Sequence, residues 1–150
     1  MKAPVEKPVI LQDTREQAPL RFSAAVAVEI VTLPVGDYSL RGSTDRVAIE
    51  RKRLGELATC CGTDRPRFVE QIERLRDYPV RALVVEGDLD AVLTKSYRSE
   101  IHPLSVVGTL IKYSSDWQIP IWFCGDSHNT ALIVERMLLR VAKQAEELAK

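Results

Sequence analysis

Val47-Ala48-Ile49-Glu50-Arg51-Lys52 is the stretch on which both the fold and the chemistry turn. Residues 47–49 are β-branched or apolar and read as a strand, and the polar turn Arg41-Gly42-Ser43-Thr44-Asp45 returns the chain to it from Asp37-Tyr38-Ser39-Leu40. The expected unit is a hairpin or meander. Side chains alternate faces along a strand, so Glu50 and Lys52 point one way and Arg51 the other. Asp37 stands 13 residues before Glu50, directly after Gly36. If the hairpin sets Asp37 beside Glu50, two carboxylates can hold a hard divalent cation through oxygen and leave positions for water and a phosphate oxygen. Lys52 then lies at the same phosphate. There an ammonium orients or helps deprotonate an attacking water and stabilises the charge that builds in the transition state. Taken alone, Glu-Arg-Lys reads more simply as charge that protects an edge strand from aggregation.

Working outward, the neighbouring segments alternate in type. Pro8 to Leu11 reads as a first strand ending at the charged Asp13-Thr14-Arg15-Glu16, and Val28 to Leu33 as a second, followed by the turn Pro34-Val35-Gly36. Leu54 to Cys60 and Pro66 to Tyr78 read as helices, Arg81 to Glu86 as a buried strand, Pro103 to Tyr113 as a helix and Pro120 to Cys124 as a last strand. Thr130 to Leu148 closes the chain as a long helix. A strand-rich first third followed by alternating helices and strands predicts an α/β domain with a mixed central sheet flanked by helices.

The 150 residues fit one domain, 1–150, with no internal repeat or linker. Hydrophobic residues make up 45% and charged ones 28%, which excludes disordered, collagen-like and disulfide-scaffold classes. No apolar run approaches the roughly 18 residues that span a bilayer. The Met1 to Glu6 start has no signal-peptide stretch, so the expected location is cytoplasmic, with no membrane partner. Three cysteines, Cys60, Cys61 and Cys124, form no even-numbered framework and no zinc spacing and are read as reduced thiols. The 21 basic and 21 acidic residues cancel, excluding a protein that coats nucleic acid by bulk charge. The cancellation is uneven: residues 41–81 hold 10 basic against 7 acidic groups. That surplus is either a solvated face or an anion-binding one.

The order Asp13-x-Arg15-Glu16, Leu33-x-Val35-Gly36-Asp37-Tyr38, Glu50-Arg51-Lys52, Arg67-Phe68-x-x-Gln71-x-x-x-Leu75 resembles the nuclease domain of XPF-type structure-specific endonucleases over roughly residues 9–148. The resemblance implies a restriction-endonuclease-like fold. It also implies metal-dependent hydrolysis of DNA phosphodiesters, with Mg²⁺ or Mn²⁺, near branch points such as 3′ flaps and forks. By position it implies Asp37, Glu50 and Lys52 as the catalytic set, Asp37 and Glu50 as metal ligands with Asp13 as a further acid, and Arg15 and Arg51 on DNA, Arg51 alternatively supporting the site. Glu16 and Glu56 fall in supporting positions; Glu56 stands where the family motif usually has Asp. The family usually carries a helix-hairpin-helix domain after the nuclease domain, and none is expected within 1–150, which leaves branch preference open. The alternative from another class is a non-catalytic DNA-binding or scaffolding module of the same fold.

On the helix from Pro66, Phe68, Ile72 and Leu75 share a core face, while Arg67, Gln71 and Arg74 share an adjacent one. With the resemblance, Arg67 and Gln71 are expected on the DNA backbone. His102 and His128 have no triad partners and read as surface or capping groups. Trp117 and Trp122 read as packing residues, with no basic residues interleaved for base stacking. In the closing helix Ala131, Val134, Leu138, Val141, Ala145 and Leu148 recur at intervals of three and four, while Met137 and Leu139 lie outside that stripe. The stripe, the adjacent Trp122 and Phe123, and the pairing of XPF-type nuclease domains through this region lead to an expected homodimer through the C-terminal helix and last strand.

Overall fold

A computed structural model describes residues 6–150; the stretch read above for a leader lies, up to residue 5, outside them. The elements in chain order are β1 (Val9–Asp13), β2 (Ala27–Val31), β3 (Tyr38–Leu40), β4 (Val47–Arg53), α1 (Leu54–Cys61), α2 (Arg65–Leu75), β5 (Val80–Glu86), α3 (Leu89–Leu93), α4 (Pro103–Trp117), β6 (Ile121–Phe123) and α5 (Ser127–Leu148). They form a six-stranded sheet in the order β2-β1-β3-β4-β5-β6. The β1–β3 and β3–β4 pairs are antiparallel, and β1–β2, β4–β5 and β5–β6 are parallel, so the sheet is mixed as expected.

The alternation of β4 assigns the layers. Ala48 packs with Leu57, Phe68, Ile72, Leu110 and Tyr113 beneath α1, α2 and α4, whereas Val47 and Ile49 pack with Val134, Leu138 and Val141 of α5 on the opposite face. Phe68, Ile72 and Leu75 are wholly buried, each worth roughly 1.5–3 kcal/mol of burial, which fixes α2 against the sheet. β4 runs through the charged residues to Arg53 and lies between β3 and β5, so its charges do not guard an edge. Residues 14–26 join the parallel β1 and β2 without a helix. This connection is tied down by the Leu20 N–H on the Tyr38 hydroxyl at 2.9 Å and by Ser23, whose N–H and Oγ both donate to Glu135 at 2.7 Å.

Several boundaries move for local reasons. α5 begins at Ser127 rather than Thr130 because Asp126 caps it, accepting the Asn129 N–H at 2.7 Å. α4 continues past Tyr113 to Trp117 and stops at Gln118, which takes the left-handed conformation. α3, unread in the sequence, is five residues long, too short to show a periodicity, and is capped by Asp88. His102 caps α4, its Nδ1 accepting the Leu104 N–H, and Trp117 stacks on Tyr113 at 5.2 Å. The three cysteines are free and buried. The apolar stripe of α5 is corrected: Ala131, Val134, Leu138 and Val141 are core residues against the sheet, and Ala145 and Leu148 extend past it into solvent. Those four residues are therefore covered by the sheet and not open to a second chain.

Candidate active site

Gly36 places the first acid. Its φ of +79° favours glycine, and a Cβ there would sit 3.0 Å from the Ile49 carbonyl oxygen, so no other residue lets the turn lie this close to β4. The close approach lets the Asp37 N–H donate to Ile49 O at 2.8 Å, while Asp37 O accepts the Asp13 N–H at 2.9 Å. The side chain is aimed in turn: Asp37 Oδ2 accepts the Arg51 N–H at 2.8 Å. Asp37 is thus held by β1 and β4 together, next to the β4 carboxylate that the hairpin was expected to bring.

On the α1/α2 face of β4, Glu50 and Lys52 are 7% and 8% exposed, and Lys52 Nζ lies 3.4 Å from Glu50 Oε1 and 5.7 Å from the centre of the Phe68 ring. Burial, with Glu50 beside it, pushes the Asp37 carboxyl up to about 8. Burial also raises Glu50, against the pull of Lys52. Burial works against the Lys52 ammonium, but Glu50, Cys60 and Asp37 outweigh it and hold the group above its ordinary value. Two crowded acids and one firmly protonated amine share the floor of a cleft of about 490 Å³, whose walls include Arg15, Arg67, Gln71 and Arg74.

The other face of β4 is closed. The Arg51 guanidinium is 4% exposed, donating to Glu16 at 3.2 Å, to the Ala18 carbonyl at 2.6 Å and to Glu86 at 2.7 Å. A DNA contact by Arg51 finds no free charge: its guanidinium is matched by Glu86 and by Glu16, which itself borders the cleft, and it supports the site by tying β4 to β5 and to the β1–β2 connection. Glu16 accepts from Arg51 at the start of the β1–β2 connection. Glu86 was not foreseen as a site residue. With β4 and β5 parallel and Arg51 opposite Val84, the residue two further along falls on the same face, which is the signal that would have found it.

Asp13 is otherwise occupied than expected. Its Oδ1 accepts the Leu33 N–H at 2.8 Å, its Oδ2 accepts Arg15 Nε at 2.7 Å and the Arg15 N–H at 3.1 Å. Burial pushes its carboxyl up, but Arg15 and the Leu33 N–H outweigh this and keep it below the ordinary value. Among the described residues no group of three acids, cysteines or histidines converges to hold a metal, and Asp13, with both oxygens engaged, does not join Asp37 and Glu50 as a third ligand. Arg15 is exposed at the rim. Glu56 lines the cleft but is paired with Arg53 at 3.1 Å, capping α1. Arg67 and Gln71 both face the cleft from α2, and Gln71 Oε1 is buried with no hydrogen-bond partner among the described residues.

The donor set suits a hard dication. Two buried carboxylates offer oxygen only, and their mutual crowding is the repulsion that a +2 charge relieves. Among the described residues that line the cleft there is no cysteine or histidine.

Comparison with known proteins follows the same lines. Residues 12–137 match the family model described as the ERCC4 domain. Among solved structures, XPF from Aeropyrum pernix in complex with DNA is 25% identical with a TM-score of 0.71, over 92% of this chain and 66% of that one. XPF from Aeropyrum pernix without DNA is 26% identical with a TM-score of 0.69, over 90% of this chain and 61% of that one. This chain therefore spans somewhat under two thirds of those proteins. No curated protein matches it. With the motif residues gathered at one cleft of a mixed sheet, and the family model covering nearly all of that sheet, the chain belongs to the ERCC4 domain family and has the restriction-endonuclease-like fold of XPF-type nuclease domains.

Proposed function

We propose that the domain is a divalent-metal-dependent endonuclease that hydrolyses DNA phosphodiester bonds at branched structures such as 3′ flaps and forks. The observation that carries the reading is the convergence of Asp37, Glu50 and Lys52, with Lys52 Nζ 3.4 Å from Glu50 Oε1, at the floor of a cleft walled by arginines. Asp37 and Glu50 would hold Mg²⁺ or Mn²⁺, which supplies Lewis acidity toward a phosphate oxygen and a bound water of lowered pKa. Lys52 stays an ammonium at neutral pH, so it orients the water and offsets charge on the phosphoryl group rather than removing a proton. Arg51 holds β4 in register, and its N–H aims Asp37. Arg67 and Gln71 contact the DNA backbone, and Arg15 lies on the rim where a flanking phosphate passes. The family's DNA-bound neighbour supports DNA as the partner. DNA as substrate also sets the working place inside the cell, and no helix among the described residues is long and apolar enough to cross a membrane.

The dimer belongs to the same proposal, with a changed surface. β6 is an edge strand carrying Trp122 at 48% and Phe123 at 37% exposure, and Ile111 of α4 and Leu132 of α5, on the helices covering the two faces, are exposed as well. Such apolar side chains at one sheet edge suit burial against a second copy.

The test is incubation of the purified protein with labelled duplex, single strand, 3′ flap and fork, each with Mg²⁺, Mn²⁺ or EDTA. Cleavage of flap and fork with either metal and none in EDTA is expected. Cleavage that persists in EDTA, or DNA binding without cleavage of any substrate, overturns the reading, the latter in favour of the binding module.

A further inference from the structure

Beside the catalytic cleft, the groove between α1 and α2 opens a second cavity of about 390 Å³. Lys52, Glu56, Arg67 and Gln71 border both spaces, while Gly55, Thr59, Cys60 and Asp64 line only the second. We propose that this cavity receives one unpaired nucleoside of the cleaved strand, next to the scissile phosphate, a proposal that rests on the nuclease reading above.

Charge decides which part of a nucleotide can enter. Lys52 and Arg67 stand at the junction with the catalytic cleft beside Glu56, whose carboxylate is paired with Arg53, and the charged group that lines this cavity alone is the carboxylate of Asp64. A phosphate is therefore welcome at the mouth and repelled inside. What fits inside is uncharged, of a size that falls in the ordinary range for small-ligand cavities of roughly 300–1,000 Å³.

Hydrogen bonding narrows the class further. Gln71 Oε1 is buried and unpartnered, an acceptor whose desolvation is uncompensated until an N–H or O–H donor reaches it. Asp64 adds a second acceptor from the turn before α2. Exocyclic amines of adenine, cytosine or guanine and a sugar hydroxyl are donors of this kind. The wall residues Gly55, Thr59 and Cys60 are small.

A base inside a duplex cannot reach between two helices. It has to leave the stack, and the cost is least where the strand is already unpaired. The cavity thus gives the nuclease domain a preference for flaps and forks from its own residues, through the strand rather than through the duplex arms.

The experiment places 2-aminopurine, whose fluorescence rises on unstacking, at the nucleotides flanking the cut in a 3′ flap, and binds it to wild type and to Thr59→Trp in Ca²⁺. Thr59 is exposed on α1, so the indole fills the cavity without entering the core. Expected is a rise at one flanking position with wild type that is lost in Thr59→Trp. With Mg²⁺, flap kcat/KM should fall by about tenfold to a hundredfold, the scale set by misplacement next to reacting atoms. Circular dichroism and Mn²⁺-dependent stabilisation should be unchanged. If DNA binds by anisotropy but no position brightens, or if Thr59→Trp cleaves the flap like wild type, the cavity proposal is overturned and the nuclease reading stands. If no DNA binds at all, both are overturned.

Discussion

The two faces of β4 carry buried charge in opposite states of completion. On one, the Arg51 guanidinium meets Glu16, Glu86 and the Ala18 carbonyl and is sealed from solvent. On the other, Glu50 and Lys52 sit with Asp37 under an open cleft, two acids against one amine. A closed ion network holds a strand in place. An incomplete one keeps crowded carboxylates beside a single amine, the imbalance that the proposed divalent ion would relieve.

The contrast breaks first on activity. Lys52→Ala or Asp37→Asn should lower cleavage by about 10³-fold or more with the fold intact, and the double substitution should cost little beyond either single one, because the members act as a unit. Steady-state rates on a flap, with circular dichroism as the control, check this. The closed face breaks on stability instead. Arg51→Ala leaves the half-buried Glu16 and Glu86 unpaired and should cost about 3 kcal/mol in denaturant unfolding, whereas Asp37→Asn, which relieves repulsion, should cost no stability in EDTA. Equal losses in the two variants would erase the distinction between the faces.

Smaller effects sharpen the picture at the edges. Leu138→Glu should unfold the chain, since Leu138 is wholly buried against the sheet, while Trp122→Glu should leave it folded and shift the mass seen by light scattering from dimer to monomer. A folded, monomeric Leu138→Glu protein would restore the helix stripe as the interface. The smallest expected change is Arg67→Ala, which should weaken all DNA substrates alike and lower the salt slope of binding by about 1. An unchanged slope would mark this helix face as merely solvated.

What was legible in the sequence was whatever has a short period. Alternation along residues 50–52 separated Glu50 and Lys52 from Arg51, and Gly36 before Asp37 marked a turn that only glycine fits. Partners set by distant pairing are not legible: the choice between a DNA-contacting and a site-supporting Arg51 depends on Glu86, which reaches it only through the β4–β5 register, and the oxygens of Asp13 are claimed by the Leu33 N–H and Arg15 across the β1–β2 turn region. The α5 stripe shows the same limit from the apolar side. Periodicity finds a buried face but does not say whether a sheet or a second chain buries it. α3 escaped because five residues make barely more than one turn.

The central claim is that Asp37 and Glu50 hold the divalent ion at the open face of β4. Its most direct measurement counts bound Mn²⁺ from the loss of the free-ion paramagnetic resonance signal, with flap DNA present, in wild type, Asp37→Asn, Glu50→Gln and Arg51→Lys. The account predicts binding in wild type and in Arg51→Lys and its loss in both acid variants. Wild-type binding in Asp37→Asn and Glu50→Gln would contradict it.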